Sequence, residues 1–231
     1  YNKGMLEYEL VGTKADPFAG IRNKRLEART SCDRRSFKPS ELIEYKANIM
    51  TRNEQLKIIG LLMVETGCRI EEAAGLLVED VDLSSNIPHI KIRNNTLRGL
   101  DKKGLERSCA LVGDALTALQ SYTLPENRKS PLFPRYGKPS GATNVSAALN
   151  KVIRKSLKIS DKSLVAYSTR HTFADRCRAA GVDEVHQQVL MGHRSRFSTP
   201  IADRYGTNYP PDILLKAMVD QHQVKEWGDF N

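Results

Sequence analysis

Two arginines, a histidine and a tyrosine stand out because these side chains together could break and rejoin a phosphodiester. They occur in four blocks, Thr66-Gly67-Cys68-Arg69, Arg170-His171-Thr172-Phe173, Met191-Gly192-His193 and Tyr205. The planar fork of arginine donates two parallel hydrogen bonds to a phosphate and stays charged. A tyrosine that attacks phosphorus keeps the phosphoester energy in a covalent bond, so rejoining needs no ATP. The set predicts a phosphoryl transfer that relies on positioning and charge rather than on a metal.

The order and spacing of these blocks resemble the catalytic domain of tyrosine recombinases of the phage-integrase type. The match runs from about residue 38 to 206, with Thr66–Glu72, Leu76 and Asp80–Asp82 as the first-arginine box. The resemblance implies that Arg69 and Arg170 clamp the scissile phosphate and that His193 hydrogen-bonds a non-bridging oxygen. It implies that Tyr205 is the nucleophile and forms a 3′-phosphotyrosyl intermediate. The alternative to phosphate binding is that the two arginines form ordinary salt bridges within the protein, with Glu72 or Asp175.

Two assignments keep named alternatives. Tyr205 follows Ala202-Asp203-Arg204 in a predicted helical turn, whereas Tyr209 precedes two prolines, so Tyr205 is the preferred nucleophile. The resemblance also implies a general-acid lysine on a β-hairpin, which would protonate the leaving 5′ oxygen. Counting back from the predicted strand at 108–111 favours Lys102, with Lys103 one step away.

One residue departs from the family pattern. Tyr167 stands three residues before Arg170, where the family often has histidine. A tyrosine can donate a hydrogen bond to phosphate, but it cannot act as a base near neutral pH. Tyr167 is assigned to the catalytic residues. The alternative is that it is a buried tyrosine with a purely structural role. His171 is assigned to packing rather than to catalysis.

The charge distribution indicates a polyanionic partner. The 231 residues carry a net charge of +9, and segment 128–176 holds eleven Lys and Arg against two acidic residues. Segment 54–82 holds two basic residues against seven acidic ones. Cations on one face release counterions from nucleic acid. The predicted DNA contacts are Arg93, Lys103, Arg107, Arg154, Lys155 and Arg194.

The sequence predicts a mainly α protein with a small three-stranded antiparallel sheet (α+β), the fold of the tyrosine recombinase catalytic domain. Residues 1–37 are assigned to the end of a core-binding domain and a basic linker, 38–206 to the catalytic domain, and 207–231 to a C-terminal helix and tail. The start suggests a piece of a longer protein. Predicted helices cover about 39–50, 54–65, 70–77, 114–122, 143–157, 170–180, 182–191 and 210–221, with strands around 90–92 and 109–111 and a loop over 123–142.

The expected function is site-specific DNA recombination, either integration or excision, on double-stranded DNA. A free monomer would form a homotetramer on synapsed DNA, with an excisionase or a DNA-bending protein as an accessory, in the cytoplasm of a bacterial or phage-infected cell. No cofactor or metal is expected, because the sequence has no His-Glu-x-x-His, no zinc-type cysteine spacing and no phosphate-binding glycine loop. No apolar run approaches the ~20 residues of a membrane span. A type IB topoisomerase and an inactive DNA-binding module are the alternatives.

Overall fold

The structure is a computed structural model that describes residues 34–100, 106–193 and 211–223. These residues are mostly helical with one small sheet, which confirms the predicted fold class. The chain divides into two units between Asp33 and Arg34, and every described element belongs to the second unit. Five residues with predicted roles lie outside the described residues, so their roles stay predictions: Lys102, Lys103, Arg194, Tyr205 and its rival Tyr209.

The first half of the domain is built around a buried helix. Helix α1 spans Pro39–Met50, α2 spans Glu54–Thr66 and α3 spans Ile70–Ala74. The side chain of Asn53 caps α2 by accepting a hydrogen bond from the backbone N–H of Leu56 at 3.1 Å. Helix α2 is apolar on all sides, and a helix of that composition belongs in a core. Helix α3 is shorter than the predicted 70–77 because Gly75 ends it and a 3₁₀ turn, Val78–Asp80, follows.

The predicted sheet is present. Strand β1 spans Val81–Asp82, β2 spans His89–Ile92 and β3 spans Arg107–Ala110, paired antiparallel in the order β1-β2-β3. Ile90 lies opposite Cys109, and Ile92 lies opposite Arg107. Ile90, Ile92 and Cys109 are buried, as expected for strands that place alternate side chains on the core.

Five α-helices follow the sheet in the part of the chain that the structure describes. Helix α4 spans Gly113–Ser121, α5 spans Gly141–Lys151, α6 spans Ser168–Ala179, α7 spans Glu184–Leu190 and α8 spans Pro211–His222. A single helix over 143–157 was predicted. Instead α5 passes into a π-helical turn, Val152–Ser156, whose end is closed by a hydrogen bond from the N–H of Leu157 to the carbonyl of Val152.

The described residues form two apolar clusters, and the smaller one fixes the position of α6. The larger one contains the buried apolar side chains of α1 and α2 together with Ile90, Ile92 and Cys109 of the sheet. The smaller one joins Phe173 and Cys177 of α6 to Leu190 of α7, Met218 of α8 and Ala110 of β3. Since α6 is held from three sides, the residues of its first turn have fixed positions relative to the end of α7.

Residues 34–38, assigned from sequence to a basic linker, contact the helical domain. The backbone N–H of Phe37 donates to Oγ1 of Thr172 at 2.9 Å, and the Phe37 ring is buried. The guanidinium of Arg35 pairs with Glu41 at 2.7 Å and with Asp161 at 2.6 Å. This strap ties the start of the domain to α6 and to the loop before it. None of the helices in the described ranges has the length and apolar character of a membrane span.

Candidate active site

The turn at Gly67 joins the first arginine box to the second. Gly67 ends α2 with φ of +63°, a conformation that glycine adopts without strain. A Cβ at this position would lie 2.5 Å from the ring of Phe173, so α2 and α6 approach closely only because residue 67 is glycine. The Gly67 carbonyl accepts a hydrogen bond from Nη1 of Arg170 at 2.5 Å. The two boxes, about a hundred residues apart, therefore meet at one backbone turn.

Arg69 is oriented by Glu72. Arg69 is the N-cap of α3, and its backbone N–H donates to Oε2 of Glu72 at 2.8 Å, as in one half of a capping box. Its Nη1 donates to Oε1 of the same carboxylate at 3.1 Å. The salt bridge considered from sequence is therefore present, and it leaves the Arg69 side chain partly exposed.

Arg170 is buried in the first turns of α6. Besides the Gly67 carbonyl, its guanidinium donates to the carbonyl of Met191 through Nη2. The alternative partner Asp175 pairs instead with Arg178 at 2.5 Å. Burial, and then the charges of Arg69 and Arg107, lower the pKa of Arg170 to about 10. The guanidinium remains charged at neutral pH, in surroundings that are already rich in positive charge.

His193 meets Arg170 at the end of α7. Gly192, with φ of +65°, turns the chain so that Nε2 of His193 lies 2.9 Å from Nη2 of Arg170. Arginine can only donate, so Nε2 accepts and a neutral ring carries its proton on Nδ1. Partial burial, and then the charges of Arg170, Arg69 and Arg107, lower the pKa of His193 to about 4. The imidazole is therefore neutral at physiological pH, with one N–H to donate.

Tyr167 lies beside the arginine and histidine. Tyr167, Arg170 and His193 line one pocket of about 720 Å³, together with residues of α6 and α7. The guanidinium carbon of Arg34 lies 4.9 Å above the Tyr167 ring, and the ring of His171 meets it edge-on at 5.6 Å. His171 thus packs against Tyr167, in keeping with the packing role predicted for it.

Arg107 is corrected from a DNA contact to an internal residue. It exposes 6% of its surface, and its fork binds Glu72 with Nη2–Oε2 at 2.7 Å and Nη1–Oε1 at 3.1 Å. The sequence showed only a basic residue at the end of a basic hairpin. Its burial depends on a carboxylate 35 residues earlier in the chain, which no local pattern reveals. Burial opposes ionisation of Glu72, but Arg107 and the Arg69 amide outweigh it and lower the pKa of Glu72 to about 2.

The other predicted DNA contacts differ in their surroundings. Arg93 pairs with Glu79 and Asp80, both at 2.7 Å. Arg154 donates to the carbonyls of Ile159 and Leu164, so its guanidinium holds the loop after the π turn. Lys155 is exposed. Across residues 34–100, 106–193 and 211–223, no group of three or more His, Cys, Asp and Glu side chains is placed to hold a metal ion.

Known sequences and structures are similar to this chain. The Phage integrase family model matches residues 39–205. Tyrosine recombinase XerA of Saccharolobus solfataricus is 27% identical over 165 residues, 70% of this chain and 50% of that protein. Tyrosine recombinase XerC of Listeria welshimeri is 30% identical over 159 residues, 64% of this chain and 50% of that protein. The chain thus spans about half the length of the curated relatives it matches.

Two solved structures show the same fold. A crystal structure of XerA recombinase aligns with a TM-score of 0.54 at 21% identity, covering 84% of this chain and 65% of that one. The Tn1549 transposon integrase, residues 82–397 in complex with circular intermediate DNA, aligns with a TM-score of 0.56 at 16% identity, covering 86% and 74%. Together with the family model, which spans most of the sequence, these likenesses identify the chain as a member of the phage integrase family.

Proposed function

We propose that this chain contains the catalytic domain of a site-specific DNA recombinase. The Tyr205 hydroxyl attacks a DNA phosphorus and releases its proton to solvent, a P–O bond to tyrosine forms, and the bond to the 5′ oxygen breaks. Lys102 gives its proton to the leaving 5′ oxygen. A 5′ hydroxyl of the partner strand then reverses these steps and releases the tyrosine, so the phosphoester energy is kept throughout.

The contact between Arg170 and His193 carries the proposal. Arg170 lies in α6 and His193 follows the end of α7, and their side chains meet at 2.9 Å on the wall of an open pocket. Each retains a group suited to a phosphate oxygen, namely a guanidinium charge and a neutral imidazole N–H. A phosphate bound there would place its non-bridging oxygens against donors that need no rearrangement during the reaction.

The electrostatics favour an anion at this point. The charges of Arg69 and Arg107 lower the pKa of Arg170, which indicates that the guanidinium groups repel one another. A phosphodiester would relieve that repulsion, and the charge that develops on its oxygens during attack would relieve it further. Because arginines supply this stabilisation, we propose that the reaction needs no metal.

Tyr167 is proposed to take the place of the usual histidine. Its ring is held between Arg34 and His171, so its position is fixed without a hydrogen bond from the hydroxyl. From there the phenol can donate to the phosphate. This role needs no ionisation of the tyrosine.

We further propose the assembly and setting that the relatives suggest. One solved relative is an integrase bound to circular intermediate DNA, which supports double-stranded DNA as the partner here. Pairwise strand exchange would require a homotetramer on synapsed DNA, with an excisionase or bending protein as an accessory. The corresponding location is the cytoplasm of a bacterial or phage-infected cell.

The test is covalent capture on DNA. The 231-residue chain is incubated, with EDTA present, with nicked suicide duplexes randomised around the nick. We expect an SDS-stable adduct that Tyr205→Phe abolishes and that Tyr209→Phe, the matched control, retains. Loss with Tyr209→Phe alone would move the nucleophile to Tyr209. Salt-sensitive DNA binding without any adduct would indicate an inactive DNA-binding module, and supercoil relaxation without recombinant products would indicate a topoisomerase.

A further inference from the structure

Arg107 contacts both halves of the candidate site, although it is closed off from DNA. It is the first residue of β3, and its side chain is almost completely buried. Two nitrogens of its fork bind the two oxygens of Glu72, at 3.1 and 2.7 Å. A bidentate pair of this kind fixes the plane and direction of the carboxylate, which a single contact would not do.

The same carboxylate holds Arg69. Oε1 of Glu72 accepts from Nη1 of Arg69 and Nη1 of Arg107, and Oε2 accepts from the Arg69 amide and Nη2 of Arg107. The direction in which Arg69 points therefore depends on a carboxylate that Arg107 keeps in place. Without Arg107, Glu72 could rotate towards Arg69 and draw its guanidinium away from a phosphate.

The third nitrogen of Arg107 reaches the second half of the site. Its Nε donates to the carbonyl of Leu190, the last residue of α7, at 2.8 Å. A Cβ on Gly192 would lie 2.4 Å from Nη1 of Arg107, so the turn that precedes His193 packs directly against the guanidinium. One buried side chain thus contacts the support of Arg69 and the turn that carries His193.

We propose that Arg107 is a positioning residue for the reaction, and that it sets Arg69 through Glu72 and His193 through the turn at Gly192. This inference rests on the proposed function. Arg107 does not touch the phosphate itself. Its effect is on the distance and angle at which the other two side chains meet the phosphate, a quantity to which reaction rates are very sensitive.

A chemically similar residue outside the site provides the control. Lys46 of α1 is also buried and pairs with a buried glutamate, Glu65, at 2.9 Å. Lys46 also pairs with Asp114 at 2.7 Å. Neither carboxylate holds a residue assigned to the reaction. Lys46→Gln and Arg107→Gln therefore both remove a buried cation, but only the second removes a support of the site.

The experiment measures single-turnover cleavage of the nicked duplex at saturating DNA, below the unfolding temperature of every variant. We expect Arg107→Gln to slow cleavage by about 100-fold, with little change in the dissociation constant for DNA. Lys46→Gln should lower the Tm but cleave at the wild-type rate. In an Arg69→Ala background the loss from Arg107→Gln should be smaller, because the residue that Glu72 orients has already gone and only the support of His193 remains to be lost.

Arg107→Lys separates positioning from folding if Arg107→Gln does not fold. Lysine keeps the charge but has no planar fork, so it cannot bind both Glu72 oxygens and the Leu190 carbonyl together. We expect recovered stability without recovered cleavage. Recovery of both, equal rate losses in Arg107→Gln and Lys46→Gln, or losses that multiply fully with Arg69→Ala would overturn the inference. An inactive wild type would contradict the proposed function itself.

Discussion

Two buried glutamates seven residues apart have different neighbours and different tasks. Glu65 lies in the last turn of α2 and Glu72 lies in α3, and both are almost completely buried. Glu65 contacts Lys46, Arg176 and His222, and Glu72 binds two arginines. The pKa of each carboxyl is lowered to about 2 although burial acts in the opposite direction. A lowered pKa therefore marks an ion pair in this protein and does not by itself mark a functional site.

The Glu65 cluster consists of Glu65, Lys46, Arg176, Asp114 and His222, and it joins helices. Glu65 contacts Lys46 at 2.9 Å, Arg176 at 3.5 Å and Nδ1 of His222 at 3.0 Å. Asp114 contributes a second carboxylate beside Lys46. Two carboxylates face one lysine, one arginine and one histidine, and the contacts connect α1, α2, α4, α6 and α8. This cluster needs no ligand to account for it.

The Glu72 cluster consists of Glu72, Arg69 and Arg107, and Arg170 lies beside it. One carboxylate stands among three guanidinium groups. Burial, and then the charges of Arg69 and Arg107, lower the pKa of Arg170. Arg170, beside the cluster, lines an open pocket together with His193 and Tyr167. An excess of positive charge at an accessible pocket is what an anionic substrate requires, and this excess distinguishes the two clusters.

Removing Arg170 should give the largest loss of cleavage. It tests most severely whether the Glu72 cluster and the neighbouring Arg170 act in the reaction. Arg170→Ala removes a donor to the phosphate as well as the contacts with the Gly67 and Met191 carbonyls. We expect cleavage to fall by about 100- to 1,000-fold or more. Single-turnover adduct formation, corrected for the folded fraction, measures this. Wild-type cleavage by folded Arg170→Ala would exclude Arg170 from the reaction.

A methyl group at Gly192 should slow cleavage, because it disturbs the contact between Arg107 and the turn that positions His193. Gly192→Ala introduces a Cβ 2.4 Å from Arg107 in a left-handed conformation, and we expect about 100-fold slower cleavage. Gly181→Ala is the matched control, because φ there is +69° and nothing lies within 4 Å of the added Cβ. It should lower stability by only about 1 kcal/mol and leave cleavage unchanged. Equal rates in the two variants would show that the contact at Gly192 is unimportant.

The pKa of His193 should report the positive electrostatic potential that the arginines around Glu72 create. Its folded-state pKa of about 4 is below the ordinary histidine value of 6.5, so the unfolded chain binds a proton first as the pH falls. The stability associated with a neutral His193 is present above pH 6.5 and is lost as the pH falls from 6.5 towards 4. NMR titration of the ring should show the low pKa, and Arg107→Gln should raise it. An ordinary pKa for His193 would argue against this positive electrostatic potential.

Surface lysines should show the smallest effects, because they belong to neither cluster. Lys155→Ala should weaken DNA binding slightly and reduce the slope of log K against log salt by about 1. Lys216→Ala on α8 is the control, since Lys216 is exposed and pairs with Asp220 at 2.6 Å. We expect an unchanged slope for it. Equal slopes for both variants would remove Lys155 from the DNA contacts.

The sequence was most informative where local pattern decides the outcome. Apolar spacing predicted α1, α2 and the sheet, and a helix over about 170–180 was also predicted. The family-like motifs Thr-Gly-Cys-Arg and Met-Gly-His gave Arg69 and His193 as candidate site residues. The side chains of Arg170 and His193 do meet. Arg170 stands in the first turn of a helix, and His193 follows the turn at Gly192 at the end of another. Short motifs mark such positions, so the motifs were sufficient to place these two residues at helix ends.

The sequence was least informative about the basic residues. Arg93, Arg107 and Arg154 were all predicted to contact DNA, yet each guanidinium is bound by partners within the protein. Those partners include carboxylates and carbonyls that become neighbours only after folding. Charge composition counts cations, but it cannot tell which of them the fold uses internally.

A comparison of Glu72→Gln with Glu65→Gln tests the central claim most directly. Each substitution leaves buried cations without their carboxylate, and each should destabilise the protein by about 3–5 kcal/mol. Cleavage of the nicked duplex per folded molecule is then measured for both variants at one temperature below their unfolding transitions. We predict a loss of about 100-fold for Glu72→Gln and a wild-type rate for Glu65→Gln. Equal rates in the two variants would contradict the account.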